Sequence, residues 1–349
     1  MTNTINEQLD IIDFSEVDTV LRGVHTIERV SLQDLAYRAI EGSLELSPAG
    51  IITGGLRLIF AEIFANLFLM QQLIFVAVLA AILKVITDSF QSKGVAELGF
   101  YVCYLVLVSI VFSSFGLAMM VVGDMVLNIS NLVRVSIPIV ISLVVMSGNF
   151  SGAYVFNALF LFAIDIINFI VRELFLPFIV FGATVHIINY LTESEILGKL
   201  SEGLQNLISW GLKSVAVIFI GVLTLQRISA PILNNIAINT ARFTVNVVPV
   251  VGEVLSGAMD SVLHLASATK NGVIVAVILA VIYVCILPIT KLVVLMLIYK
   301  FIAAILQPIS DKRVVKCLDT TGSYLAVLLG ICVLVAIMFS FALLLLVSF

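Results

Sequence analysis

Charge is scarce in this chain. Asp, Glu, Lys and Arg make up 11% of its 349 residues, against 61% apolar residues, and the mean hydropathy is +1.21. Soluble domains carry about a quarter charged residues, so this composition cannot clothe a surface in water and a soluble fold is excluded. Base is scarcest where it would matter for nucleic acid. Residues 1–50 hold nine acids and three bases, the remainder thirteen acids and fifteen bases, with no concentrated basic surface for a phosphate backbone. Of the three histidines, His25, His186 and His264, none has a cysteine or carboxylate at ligand spacing. The four cysteines, Cys103, Cys285, Cys317 and Cys332, form no C-x-x-C pair, and three lie in apolar runs where cysteine serves as a small hydrophobe. Neither a disulfide nor a metal or other cofactor is expected. G-x-x-x-x-G-K-[ST], H-E-x-x-H and G-x-S-x-G are all absent, which removes the common signatures of ATP binding, metalloproteases and serine hydrolases. No enzymatic activity is expected.

Long apolar runs are abundant instead. Tyr101–Val122, Val273–Leu306 and Tyr324–Phe349 each suffice to cross a hydrocarbon core of about 30 Å, which takes roughly 20 helical residues. The pattern predicts an all-α, polytopic integral membrane bundle. Residues 1–50 read as an acidic, soluble, partly helical region. Leu9, Ile12, Phe14 and Val17, then Leu32, Leu35, Ala36 and Ile40, recur at helical spacing and predict two short amphipathic helices. Met1–Val20 carries acids where the apolar stretch of a signal peptide would stand. Residues 51–71 read as an interfacial helix, with Arg57, Glu62 and Asn66 on a thin polar stripe.

The membrane core is expected over 72–349. Spans are predicted at Gln72–Thr87 and Gly99–Val122, then two within Ala153–Tyr190 around a turn at Arg172-Glu173. Trp210–Gln226 gives another, Gly272–Leu306 two more with a break near Pro288 and Lys291, and Tyr324–Phe349 the last. That makes seven or eight spans, depending on the short first one. Two shorter apolar runs, one opened by Ile137-Pro138 and one over Val247–Leu255 with Pro249, read as half-helices too short to cross. Lys84 and Lys93 flank one loop, and Lys312, Arg313 and Lys316 lie in another. Six expected spans separate the two, so both fall on one side, which their positive charge marks as cytoplasmic.

The halves of the core rhyme. Asp124, Asn128 and Asn131 share one helical face, with Pro138 seven residues on; Asn235, Asn239, Arg242 and Pro249 repeat that spacing 111 residues later. The repeats are expected over 99–209 and 210–349. With three full spans per period they would be inverted, as in transporters whose site lies between such halves. Asp165, between Asn157 and Asn168 in an apolar stretch, must face protein or water, because a carboxylate in lipid costs at least about 2.5 kcal/mol. It reads either as a pathway residue or as an interhelical hydrogen-bonding group. The face formed by Asn235, Asn239, Arg242 and Asn246 reads either as the lining of a pore or as a plain interfacial surface. Lys291 and Lys300 can snorkel and need no function.

In the second half, Thr240-Ala241-Arg242-Phe243, Val248-Pro249-Val250-Val251-Gly252 and Asp260-Ser261-Val262-Leu263 follow one another in a specific order. Lys270-Asn271-Gly272-Val273, Leu297-Ile298-Tyr299-Lys300, Ala303-Ala304-Ile305-Leu306-Gln307-Pro308, Cys317-Leu318-Asp319 and Met338-Phe339 continue the set. This series resembles the stage III sporulation protein AE family, densely from about Arg227 to Phe341 and more thinly before. The resemblance implies a non-enzymatic, permease-like part of a channel or secretion-like complex in the mother-cell membrane around the forespore. It implies as partners the other stage III A-operon proteins and a forespore membrane protein, beside the lipid bilayer; a homo-oligomer is compatible with it. It also implies an extracytoplasmic N-terminal segment, normally preceded by a signal peptide. The rival readings are a secondary transporter acting alone and a structural scaffold that recruits the other members.

Overall fold

A computed structural model describes residues 9, 12–23, 31–43, 48–89, 93–148, 150–190, 198–200, 203–221, 224 and 251–347. All elements among them are helical. The two short N-terminal helices form where the apolar spacing predicts them, as α1 (Ser15–Gly23) and α2 (Leu32–Glu41). Leu9, Phe14, Val17 and Leu21 are buried, as are Leu32 and Ala36 of α2. Asp13 starts α1 by accepting the Ser15 amide at 2.9 Å. Asp18 starts α2, accepting the Leu32 amide at 2.8 Å and the Ser31 hydroxyl at 3.0 Å, so the first helix caps the second. Gly42 ends α2 in the left-handed region, φ 67°, with its amide on the Arg38 carbonyl. α1 packs on α5 and α2 on α9, so both close onto the membrane bundle.

That bundle comprises α3 (Pro48–Ala65), α4 (Leu67–Ser89), α5 (Lys93–Met146), α6 (Phe150–Phe169), α7 (Leu176–Asn189), α8 (Gly198–Gly221), α9 (Val251–Leu306) and α10 (Lys312–Val347). Six stretches among the described residues are long and apolar enough to cross a membrane: Leu67–Ile86, Glu97–Met146, Phe160–Asn189, Gly198–Gly221, Ala266–Leu306 and Lys312–Val347. Seven or eight spans are expected from the sequence, and the difference has a clear origin. Two pairs of expected spans are each one helical path.

The turn expected at Arg172-Glu173 is instead a π turn, Ile170–Phe175, joining α6 to α7 without reversal. Pro177 explains it: proline has no N–H for a carbonyl one turn back, and the wider turn takes up the misfit, the Leu176 amide reaching the Val171 carbonyl. The break expected near Pro288 and Lys291 is absent too, since α9 runs continuously through Pro288. The run after Ile137-Pro138 is likewise no separate half-helix but the end of α5. A proline inside a membrane helix costs one backbone bond, and side-chain hydroxyls with packed neighbours hold the remainder in line. Here the Ser142 hydroxyl donates to the Pro138 carbonyl at 2.8 Å, and the Thr290 hydroxyl to the Ile286 carbonyl at 2.7 Å. Of the second expected half-helix, Val251–Leu255 forms the first turns of α9, while Pro249 lies outside the described residues.

The expected correspondence of the two halves fades downstream of these prolines. After α5 the chain turns at Gly148, φ 89°, whereas Ser256-Gly257 lies inside α9. α9, α10 and α5 pack on one another, α4 lies on α5, and α6 packs on α5 while α7 reaches α10.

Candidate functional site

α4 sets the scale of the bundle, because its apolar stretch is the shortest of the six and matches a single hydrocarbon thickness. Its Leu67–Ile86 stretch is 20 residues, about 30 Å. At one end, the Lys84 ammonium lies 3.9 Å from Asp311 in the turn between α9 and α10. The two basic loops therefore share one end of the bundle, as expected from the sequence. At the other end of α4, the Asn66 side-chain amide donates to Glu62 at 2.9 Å.

The basic end is closed by side-chain bonds. Ser114 and Tyr299 share a buried hydrogen bond between α5 and α9. The Tyr104 hydroxyl donates to the Ile187 carbonyl at 3.3 Å, His186 Nδ1 and the Tyr324 hydroxyl lie 2.9 Å apart, and Tyr190 and Thr320 bond at 2.8 Å. Lys300 donates to Asp319 at 2.7 Å and to Ser323 at 2.8 Å, its stem lying on Gly322. Arg313 lies over the Phe100 ring and Lys316 over Tyr190. The resemblance motifs meet here: Tyr299-Lys300 on α9 faces Cys317-Leu318-Asp319 on α10, and Gln307 and Pro308 form the turn between them.

About 12–15 Å further along α5 and α9, with Asp124 ten residues past Ser114 and Lys291 eight before Tyr299, polar residues gather without such closure. Glu62, Asp124, Asn128 and Lys291 line a cavity of about 550 Å³, with Pro288 and Val284 in one wall and Gly23 of α1 at its rim. Pro288 offers no N–H to Val284, so that wall also presents a backbone carbonyl free of its usual helical donor. A second, more open cavity of about 690 Å³ lies between α5 and α7. It is lined by Asp124, Arg172 and Glu173 at its polar end, so Asp124 borders both cavities. Among the described residues, Asp124, Asn128, Lys291, Arg172 and Glu173 make no side-chain hydrogen bond or ion pair, while Glu62 takes the Asn66 amide. Charges of both signs, unpaired and facing open space, need water or a ligand there.

Of the residues singled out by spacing, Asp124 and Asn128 come together as predicted. Asn131, one turn on, is exposed. Asp165 pairs with Arg134 of α5, and Asn168 accepts the Ser130 hydroxyl at 3.1 Å, so both tie α6 to α5. Asn235, Asn239, Arg242 and Asn246 lie outside the described residues. Lys270 and Asn271 are near the N-terminal helices: Lys270 is buried, the Asn271 side-chain oxygen is buried without a hydrogen bond, and Gly272 touches Ile40 of α2. Sequence reasoning passed over Glu62, Arg134, Arg172, Glu173 and Lys291 as site residues. Arg134 follows Asn131 by three and extends the same face; it was hidden because its counterpart 111 residues on is Val245.

The model of the family described as stage III sporulation protein AE matches residues 30–349. The chain belongs to the stage III sporulation protein AE family. It is 28% identical over 301 residues to stage III sporulation protein AE of Bacillus subtilis (strain 168), covering 86% of this chain and 75% of that protein. No solved structure matches. Family membership gives the chain a role in sporulation, and its apolar helices make it a membrane protein. The match begins well ahead of the motif-dense half, so the thinner resemblance of the first half belongs to the same relationship.

Proposed function

We propose that this chain is a non-enzymatic component of a transport or channel complex between mother cell and forespore, in the mother-cell membrane around the forespore. Its partners there are the other stage III A-operon proteins and a forespore membrane protein. The observation that carries this reading is the cavity of Glu62, Asp124, Asn128 and Lys291: a mixed-charge space bordered by the apolar stretches Glu97–Met146 and Ala266–Leu306, with Pro288 in its wall. Such a wall has carbonyls to offer a polar species and can bend at Pro288. The face of Asn235, Asn239, Arg242 and Asn246 would supply the matching surface from the second half, with Pro249 as its break. No nucleotide motif accompanies the cavity, so the energy for directed transport comes from a partner.

The test replaces Asp124 and Lys291 by Leu, singly, in a sporulating host, with Arg242→Leu alongside. Membrane level, assembly with the other proteins of the complex and forespore development are followed together. Normal level and assembly with arrested development support the conduit. Normal development in all three variants defeats it and leaves a scaffold. Proton-dependent solute uptake by the purified protein alone would replace it with a secondary transporter.

A further inference from the structure

The groove between α5 and α7 is a separate feature from the central cavity, although Asp124 borders both. Arg172 and Glu173 project from the π turn, exposed at the same level as Asp124. None of the three forms an ion pair within the described structure. From them the groove runs toward the basic end over Met120, Val180 and Phe181. Met120 and Phe181 are 58% and 53% exposed, which large apolar side chains tolerate only under lipid or a partner. From Arg172 to Thr184, the last of its lining residues, is twelve residues of helical path, about 18 Å, close to one leaflet of a core of about 30 Å. The groove is thus apolar over a single acyl-chain length and carries one cation and two carboxylates at its head.

We propose that this groove holds a zwitterionic phospholipid with a primary-amine headgroup, of the phosphatidylethanolamine class. Its phosphate sits on the Arg172 guanidinium, whose planar fork suits two phosphate oxygens. Its ammonium, with three N–H donors, bonds Glu173 and Asp124. A choline headgroup has the charge but no N–H to give, and a glycerol headgroup leaves both carboxylates without a cation. The π turn contributes by setting Arg172 and Glu173 at the groove mouth, where a regular turn would rotate every following residue of α7. This site stands whether or not the central cavity conducts.

The test uses the full chain in nanodiscs made from equal parts of ethanolamine-, choline- and glycerol-headgroup phospholipids of the same acyl chains. The lipids that stay bound through detergent extraction are then quantified by mass spectrometry. The ethanolamine lipid is expected at about tenfold or more over the choline lipid, the effect of one or two charge-assisted hydrogen bonds. Glu173→Gln removes that enrichment, Arg172→Gln lowers retention of all three lipids together, and Lys213→Gln, an exposed cation on α8, leaves both unchanged. The wild-type comparison alone decides even if a variant fails to fold. Equal retention of the three headgroups, or enrichment of the glycerol lipid, overturns the proposal. So does a disulfide between two copies of a Val180→Cys variant formed without lipid enrichment, which would make the groove a protein interface.

Discussion

The two ends of the membrane-length segment use polar residues in opposite ways. At the basic end, Ser114, Tyr299, His186, Tyr324, Tyr190, Thr320, Lys300 and Asp319 each have a partner, and the helices are locked by them. At the other, Asp124, Asn128, Lys291, Arg172 and Glu173 face cavities with no side-chain partner among the described residues. A polar group in an apolar bundle either satisfies a neighbour, and then it is architecture, or remains open, and then it is there for something else. Composition does not separate the two cases; geometry does.

The glycines offer the sharpest way to break that comparison. A Cβ at Gly182 would lie 2.9 Å from the Tyr324 hydroxyl and 3.3 Å from its ring, so Gly182→Ala must push Tyr324 off His186. Overpacking of this kind costs about 1–3 kcal/mol, readable as a lower melting temperature of the purified protein. At Gly123, beside the open groove, the Cβ meets only Leu176 at 3.8 Å. Gly123→Ala should be neutral or stabilise by up to about 1 kcal/mol, because alanine is the better helix former. Equal losses at the two sites would erase the distinction between a tight end and a loose one.

Next in size is the clamp between α9 and α10. Lys300→Met removes bonds to Asp319 and Ser323, and both charged partners are substantially exposed, so a loss of about 1 kcal/mol or less is expected. Removing a charge that faces the cavities should act in the other sense. Lys291→Leu or Asp124→Leu deletes an unpaired charge, so thermal stability holds or rises slightly while forespore development is lost. A destabilised Lys291→Leu would show that the lysine is structural after all.

Much of this contrast was legible in the sequence, and the limits have physical reasons. The Asp124–Asn128 spacing, a local rule, pointed to one helical face. The Lys84 and Arg313 loops do meet at one end, although four apolar stretches among the described residues, and not the expected six, separate them. What failed was the reading of prolines and charges as breaks. Pro138, Pro288 and the Arg172-Glu173 pair resemble chain reversals in one dimension, yet packed neighbours carry the helix past them. Asp165 could not be assigned because its partner, Arg134, is 31 residues away and belongs to a different helix. The closed network at the basic end was invisible for the same reason, since its bonds join residues up to 185 positions apart.

The smallest expected effect lies outside the membrane. Asp13 is held below its ordinary value of 3.8 by the Ser15 hydroxyl and, next, the Ser15 amide. Because its folded value is lowered, the cap contributes fully above the ordinary value and fades as pH falls through the lowered one. Amide exchange in α1 should accelerate over that window, and Asp13→Asn should flatten the dependence.

The central claim, that one end is wet and the other sealed, is tested most directly by thiol accessibility in native membranes. Asn128→Cys and Ser114→Cys are each exposed to a membrane-impermeant maleimide, with the unaltered chain as background. Rapid labelling at position 128 and protection at position 114 is the predicted result. Protection at both, or labelling at both, would contradict it.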